Sequence, residues 1–187
     1  MNKNSFSFKL INQDPSGPRL GLIQTKRGEI NTPAFMPVGT AGAIKAMTTE
    51  QLKDTGSEIM LSNAYHLQNS PGSELIEKLG GIHKFMNWEK PVLTDSGGYQ
   101  VFSLPLKDID DDGVTFQYSK KGNKVRLSPA ISMEIQNRLG ADIIMAFDEC
   151  VEHPATYEYA KQSLKRTLKW AKDCQKIHNN PDQALFC

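Results

Sequence analysis

The sequence predicts an α/β fold, a parallel sheet with helices over its faces. Strand-like and helix-like stretches alternate along most of the chain. The strand candidates are short apolar runs without polar alternation, as in strands buried on both faces. Polar residues gather after each run and never before it. A (β/α)8 barrel carries its chemistry on that one rim, but a doubly wound open sheet shows the same local pattern. Spacing alone leaves both open.

The opening segment is different. Phe6, Phe8 and Leu10 alternate with polar residues, and Asp14-Pro-Ser-Gly-Pro18 is a turn. Leu20 to Thr25 and Glu29 to Thr32 flank Lys26-Arg27-Gly28 as a hairpin, so the chain begins with a small antiparallel flap. Ala34 to Val38 is the first strand of the repeating pattern, ending at Gly39-Thr40. Thr48-x-x-Gln51 fits a capping box, and Gly56 suits the end of a short helix. Glu58 to Leu61 is the second strand, running into Ser62-Asn63-Ala-Tyr65-His66. Ser70-Pro71 opens a helix with Leu75, Ile76 and Leu79 on one face, stopped by Gly80-Gly81.

Pro91-Val92-Leu93 is the third strand, delivering Asp95. An insertion follows from Asp108 to Leu127, where Val114 to Tyr118 and Lys124 to Leu127 flank Lys120-Lys-Gly-Asn123 as another hairpin. Ser128-Pro129 opens a helix with Ile131, Ile135 and Leu139 spaced by four, stopped by Gly140. Ile143 to Phe147 is the fourth strand, delivering Asp148-Glu149-Cys150. Ala155 to Ile177 is a longer helix whose buried stripe is predicted as Ala160, Leu164, Leu168 and Ala171. Ala184 to Phe186 begins a fifth strand.

The chain has 187 residues, 39% of them hydrophobic and 23% charged, which is enough for one real core. No apolar run reaches the ~18 residues that span a bilayer, and the first eight residues lack a secretory signal's apolar centre. The net charge of +1 makes the whole chain no magnet for nucleic acid, so such binding needs a local patch. Cys150, Cys174 and Cys187 form no C-x-x-C pair, and a reducing cytoplasm is the simplest location.

The richest stretch is Leu93-Thr-Asp95-Ser96-Gly97-Gly98-Tyr99-Gln100. A carboxylate just past a strand end is rigidly held yet faces a ligand. Glycines let backbone approach that ligand closely, and an aromatic offers a flat surface to a planar ring. These are the parts of a site that holds a base and moves a proton.

Together with Thr32-Pro-Ala-Phe-Met-Pro-Val-Gly-Thr40, Tyr65-His66-Leu67, Gly80-Gly-Ile-His-Lys-Phe-Met-Asn-Trp88 and Phe147-Asp-Glu-Cys150, this stretch resembles the tRNA-guanine transglycosylases, or queuine tRNA-ribosyltransferases, of bacterial type. The resemblance implies a (β/α)8 TIM barrel carrying the antiparallel flap, with the hairpin insertion after its third barrel strand. It implies exchange of guanine at the tRNA anticodon wobble position for a 7-deazaguanine, preQ1 or queuine, in queuosine biosynthesis. By motif, Asp95 is the proton acceptor. Ser96, Gly97, Gly98 and Tyr99 line the base pocket with it, and Asp148 recognises the base. The resemblance further implies tRNA and the free base as partners, and a homodimer. No membrane is involved.

It also implies parts that residues 1–187 do not supply: the nucleophilic second aspartate, and the ligands of the family's zinc ion. On this reading the 187 residues are the N-terminal portion of a single barrel domain, since a barrel takes about 250 residues. The alternative is a catalytically inactive remnant, or a tRNA-binding partner without chemistry; an unrelated barrel enzyme with a purine-like ligand is a third. The chain by itself is expected not to incorporate guanine into tRNA unless a complementary half is supplied.

Other residues carry simpler expectations. In isolation Asp95 reads as a turn residue and Asp148 as a helix cap; the ordered motif series outweighs both. Glu149 is expected to be structural, and Cys150 a small buried filler or part of the pocket wall. His66 and His83 read as packing or hydrogen-bonding residues. Asp108-x-Asp110-x-Asp112-Gly113 mimics an EF-hand start, but Ser119 stands at its twelfth position, which argues against calcium. Lys161, Lys165, Arg166, Lys169, Lys172 and Lys176 form a solvated face, with phosphate contact as the lesser alternative.

Overall fold

The computed structural model describes residues 6–105, 107–117 and 122–187. The chain opens with β1 (Ser7–Gln13), β2 (Arg19–Thr25) and β3 (Gly28–Thr32), an antiparallel sheet in that order. The first turn closes through Asp14, whose side chain accepts from the Ser16 main chain at 2.8 Å. Strand β1 is exposed along its length, so the alternation of Phe8 and Leu10 marks a strand without a buried face.

The repeating part comprises β4 (Val38–Gly39), α1 (Thr49–Asp54), β5 (Met60–Ser62), α2 (Ala64–Asn69), α3 (Ser73–Lys78), α4 (Ile82–Met86), β6 (Val92–Thr94) and α5 (Gly98–Phe102). The insertion follows as β7 (Lys107–Asp110), β8 (Gly113–Gln117) and β9 (Lys124–Leu127), an antiparallel sheet of three strands. Then come α6 (Pro129–Leu139), β10 (Ile143–Met145), α7 (Tyr157–Ile177) and β11 (Ala184–Phe186). The central sheet is parallel, in the order β11-β10-β6-β5-β4. Its strands succeed one another in chain order without the reversal that defines a doubly wound sheet. The outermost strands are β4 and β11.

Ile30 of the N-terminal sheet packs with Leu93 and Ile143 of the central one and with Ile59, just before β5. Asp142, just before β10, accepts from the Val92 N–H at 2.9 Å and lies 2.9 Å from the His83 ring, and Arg27 approaches it at 3.8 Å. His83 is thus a buried hydrogen-bonding residue. The main core contains a stack: Phe147 lies 4.9 Å from Trp170 and 6.1 Å from Phe102, centroid to centroid.

Helix starts follow the predicted chemistry where a hydroxyl caps them. Thr48 and Gln51 form both halves of the capping box, and Ser128 caps α6 with Pro129 in its first turn. Elsewhere the structure differs from expectation. No helix starts at Pro71: α2 begins earlier, capped by Asn63, and α3 begins at Ser73. In α3 only Ile76 of the predicted apolar face is buried, while Leu75 and Leu79 are exposed. The insertion has a third strand, β7; of the expected hairpin, residues 118–121, the end of its first strand and the start of its Lys120–Asn123 turn, lie outside the described ones. Residues 1–5, the start of the segment read against a signal sequence, also lie outside them.

The largest correction concerns α7. Its buried face is Ser163, Trp170 and Cys174; Leu164 and Leu168 are 59% and 55% exposed. The expected stripe counted aliphatic residues, but an indole offers more area to bury and its stacking turns the helix.

Gly113 begins β8 at φ 152°, and a Cβ there would lie 2.4 Å from the Leu127 carbonyl oxygen. Gly113→Ala is therefore expected to destabilise the chain by more than about 1 kcal/mol, read as a lower urea midpoint at unchanged slope. An unshifted midpoint would refute the tight approach.

Candidate functional site

The loops after β6 and β10 bring the candidate site together. Asp95 follows Thr94, and its main-chain N–H donates to the Ser62 carbonyl at 3.2 Å, continuing the sheet by one residue. The carboxylate turns toward the β5–α2 corner. Oδ2 accepts from Asn63 Nδ2 at 2.6 Å; Oδ1 accepts from the N–H groups of Ala64 at 2.9 Å and Gly97 at 3.2 Å. Burial holds the Asp95 carboxyl above the usual carboxylate range, against the pull of those two N–H groups.

Gly97 adopts φ 78°, which a side chain resists, and a Cβ there would lie 3.3 Å from Tyr65. A Cβ at Gly98 would sit 3.0 Å from the Asp148 carbonyl oxygen and 3.2 Å from its Oδ1. The second glycine thus lets Asp148 approach the motif. Ser96 is buried, and its hydroxyl accepts from the Gly98 N–H at 3.3 Å. Burial also raises the Asp148 carboxyl, opposed by its own N–H and the Ser96 hydroxyl. Tyr99 stands 70% exposed at the mouth.

Asp95, Ser96, Gly97, Gly98, Tyr99 and Asp148 all line one cavity of about 420 Å³. A larger hollow of about 550 Å³ runs past Phe35, Pro37 and Leu52. Its walls are mainly apolar, and its carboxylate, Glu58, is engaged by Asn31 through bonds of 2.6 and 2.8 Å. Of these two, the smaller cavity is the one in which two carboxyls raised by burial lie beside a tyrosine.

Sequence reasoning missed several residues that build this cavity. Gln100 lines it and opposes, weakly, the rise of the Asp95 carboxyl. Thr167 and Ala171 of α7 also reach it. Below it, Ser132 and Gln136 of α6 are buried polar residues one turn apart. Ser132 donates to the Ser96 carbonyl at 2.8 Å. Gln136 accepts from Thr94 Oγ1 at 3.1 Å and from the Met145 N–H at 2.9 Å, and donates to the Met145 carbonyl at 2.9 Å. One helix thereby aligns the two strands that deliver the carboxylates. The available signal was this polar i, i+4 pair in a helix otherwise judged by its apolar face.

Cys150 is half-buried against the main core and does not line the cavity. The acidic turn of the insertion is engaged by cations: Arg126 grips Asp110 at 2.6 and 2.7 Å, and Lys169 reaches Asp112 at 2.9 Å. Arg166, Lys169 and Lys176 of the basic helix face pair with carboxylates, and Lys161 lies over the Tyr157 ring. Among the described residues no helix is long and apolar enough to cross a membrane.

Residues 14–187 match a protein family described as queuine tRNA-ribosyltransferase. A protein of that name from Acetivibrio thermocellus is 54% identical over 186 residues, covering 98% of this chain and 50% of its own. One from Halothermothrix orenii is 50% identical over 184 residues, 97% of this chain and 49% of its own. One from Lysinibacillus sphaericus is 53% identical over 173 residues, 91% of this chain and 45% of its own. The chain spans about half the length of the curated relatives it matches.

Proposed function

This chain belongs to the queuine tRNA-ribosyltransferase family, and we propose that it serves base exchange in tRNA, with guanine at the anticodon wobble position leaving and a 7-deazaguanine entering. One observation carries this reading: two carboxylates from neighbouring strands line one cavity beside an exposed tyrosine.

Guanine presents its N1–H and 2-amino group side by side, both donors. An ionised carboxylate only accepts, so Asp148 takes both and rejects adenine. The target base leaves its stack before its glycosidic bond is reached. Tyr99 then stacks on it, worth about 1–3 kcal/mol. Asp95 moves the proton between outgoing and incoming bases, which favours a carboxyl with a raised pKa. Both carboxylates of the cavity thus have roles, and neither is assigned as nucleophile at the ribose. Among the described residues no three His, Cys, Asp or Glu side chains gather to hold a metal.

Within this reading the parallel strands form part of a (β/α)8 barrel domain. The unreversed strand order supports it, and the free sides of β4 and β11 are where further strands add. The tRNA anticodon loop is the macromolecular partner, and the homodimer is part of the same proposal.

Asp148→Asn tests base recognition. The amide offers one acceptor where the carboxylate offered two, so guanine affinity should fall about 10- to 100-fold with adenine unaffected. Affinity of the unaltered chain should also fall as pH drops through the raised Asp148 range, because the protonated form stops accepting. The linkage for stability has the opposite sense. A carboxyl raised by folding costs stability when ionised, and that cost disappears as pH falls toward the usual 3.8. Asp148→Asn should therefore be the more stable chain at neutral pH, with the difference shrinking in acid. Unchanged guanine affinity, measured by equilibrium dialysis, would remove Asp148 from recognition.

A further inference from the structure

We propose that Glu149, clasped by α7, is a positioning residue that aims the Asp148 carboxylate and so sets the preference for a purine bearing a 2-amino group. The proposal rests on the assignment of Asp148 to base recognition. Glu149 follows Asp148 but points away from the cavity, and its side chain is 1% exposed. Arg166 pairs with one carboxylate oxygen, and the Tyr159 hydroxyl donates to the other at 2.7 Å. The Glu149 N–H donates to Thr167 Oγ1 at 3.0 Å. On the other side of Asp148, the Phe147 N–H points at Cys174 Sγ at 3.4 Å. Both neighbours of the base-reading residue are thus tied to one 21-residue helix.

A buried ion pair is weak evidence of stabilisation, because apolar residues of similar volume often serve the fold as well. What an ion pair supplies is direction. A carboxylate gripped from two sides cannot rotate without breaking a bond to a charged group. Beside the Asp148 carbonyl and Oδ1, the main chain at Gly98 passes so close that a side chain there would have no space. A small turn of the Glu149 peptide would therefore swing Asp148 off the 2-amino group. Arg166 also reaches Asp111 at 3.4 Å, so the insertion turn bears on the same clasp.

The test compares guanine with hypoxanthine, which keeps N1–H but lacks the 2-amino group. Their affinities for the full chain are measured by equilibrium dialysis with labelled bases, alongside the thermal midpoint. Tyr159→Phe deletes one oxygen and leaves the ion pair, so it folds even if Glu149→Gln does not. Each is expected to narrow the guanine-to-hypoxanthine ratio by about fivefold, the discrimination of one hydrogen bond. A structural role alone would lower the midpoint and leave the ratio intact; that result in Tyr159→Phe, with Asp148→Asn still narrowing it, overturns the proposal. If Asp148→Asn leaves the ratio unchanged, or the unaltered chain binds no guanine, the base-recognition reading itself falls.

Discussion

Asp95→Ala is expected to lower guanine exchange into tRNA by about 10²–10⁴-fold, the usual contribution of a positioned general acid or base. The measurement suits a chimera that joins residues 1–187 to the remaining half of one of the relatives, with and without the substitution. Asp95 is the residue after a buried strand, and its carboxylate is fixed by Asn63, Ala64 and Gly97. It is buried enough for its carboxyl to be raised, yet it lines the open cavity. That combination suits a group that gives and takes a proton. The substitution also strands three donors, so stability must be measured in parallel and the rate compared at a temperature where both proteins are folded. Unaltered turnover in the folded variant would take Asp95 out of the mechanism.

Trp170→Ala is expected to destabilise the chain by about 3–5 kcal/mol, the range for emptying a core aromatic site. The indole is fully buried and stacked on Phe147, with Phe102 at 6.4 Å. Its Nε1–H donates to the Asp111 carbonyl at 2.8 Å, tying the insertion to α7. Loss of the ring removes apolar burial, leaves a cavity and strands that carbonyl. Guanine binding should weaken as well, because Phe147 precedes Asp148 and Phe102 closes the helix that starts at Gly98. Urea unfolding gives the first number and dialysis the second. A loss below about 1 kcal/mol would mean that the site collapses around the missing ring.

The strand-then-polar rhythm was legible because each buried strand is a short apolar run and each loop after it is polar. That rhythm places Asp95 and Asp148 at strand ends. The helix caps at Thr48 and Ser128 were legible for a local reason: a hydroxyl and the N–H groups it meets lie within one turn. The rotation of α7 was not. An aliphatic count favoured Leu164 and Leu168, but the face that packs is chosen by what lies opposite, and opposite lies an aromatic stack. Ser132 and Gln136 escaped notice for the same reason. Their partners, Ser96, Thr94 and Met145, come from other parts of the chain, so nothing local marks them as more than polar residues in a helix.

By itself the sequence determined the alternation of strand and helix, the family and the strand ends that carry the two carboxylates. These rest on side-chain type and short spacing, which act within a few residues. Only the tertiary structure decided that both carboxylates share one cavity, that Asp95 turns toward Asn63, and that Glu149 is locked to Arg166. Those outcomes depend on which strands become neighbours and on how deeply each charge is buried. Burial and pairing are properties of the packed chain, and no single segment carries them.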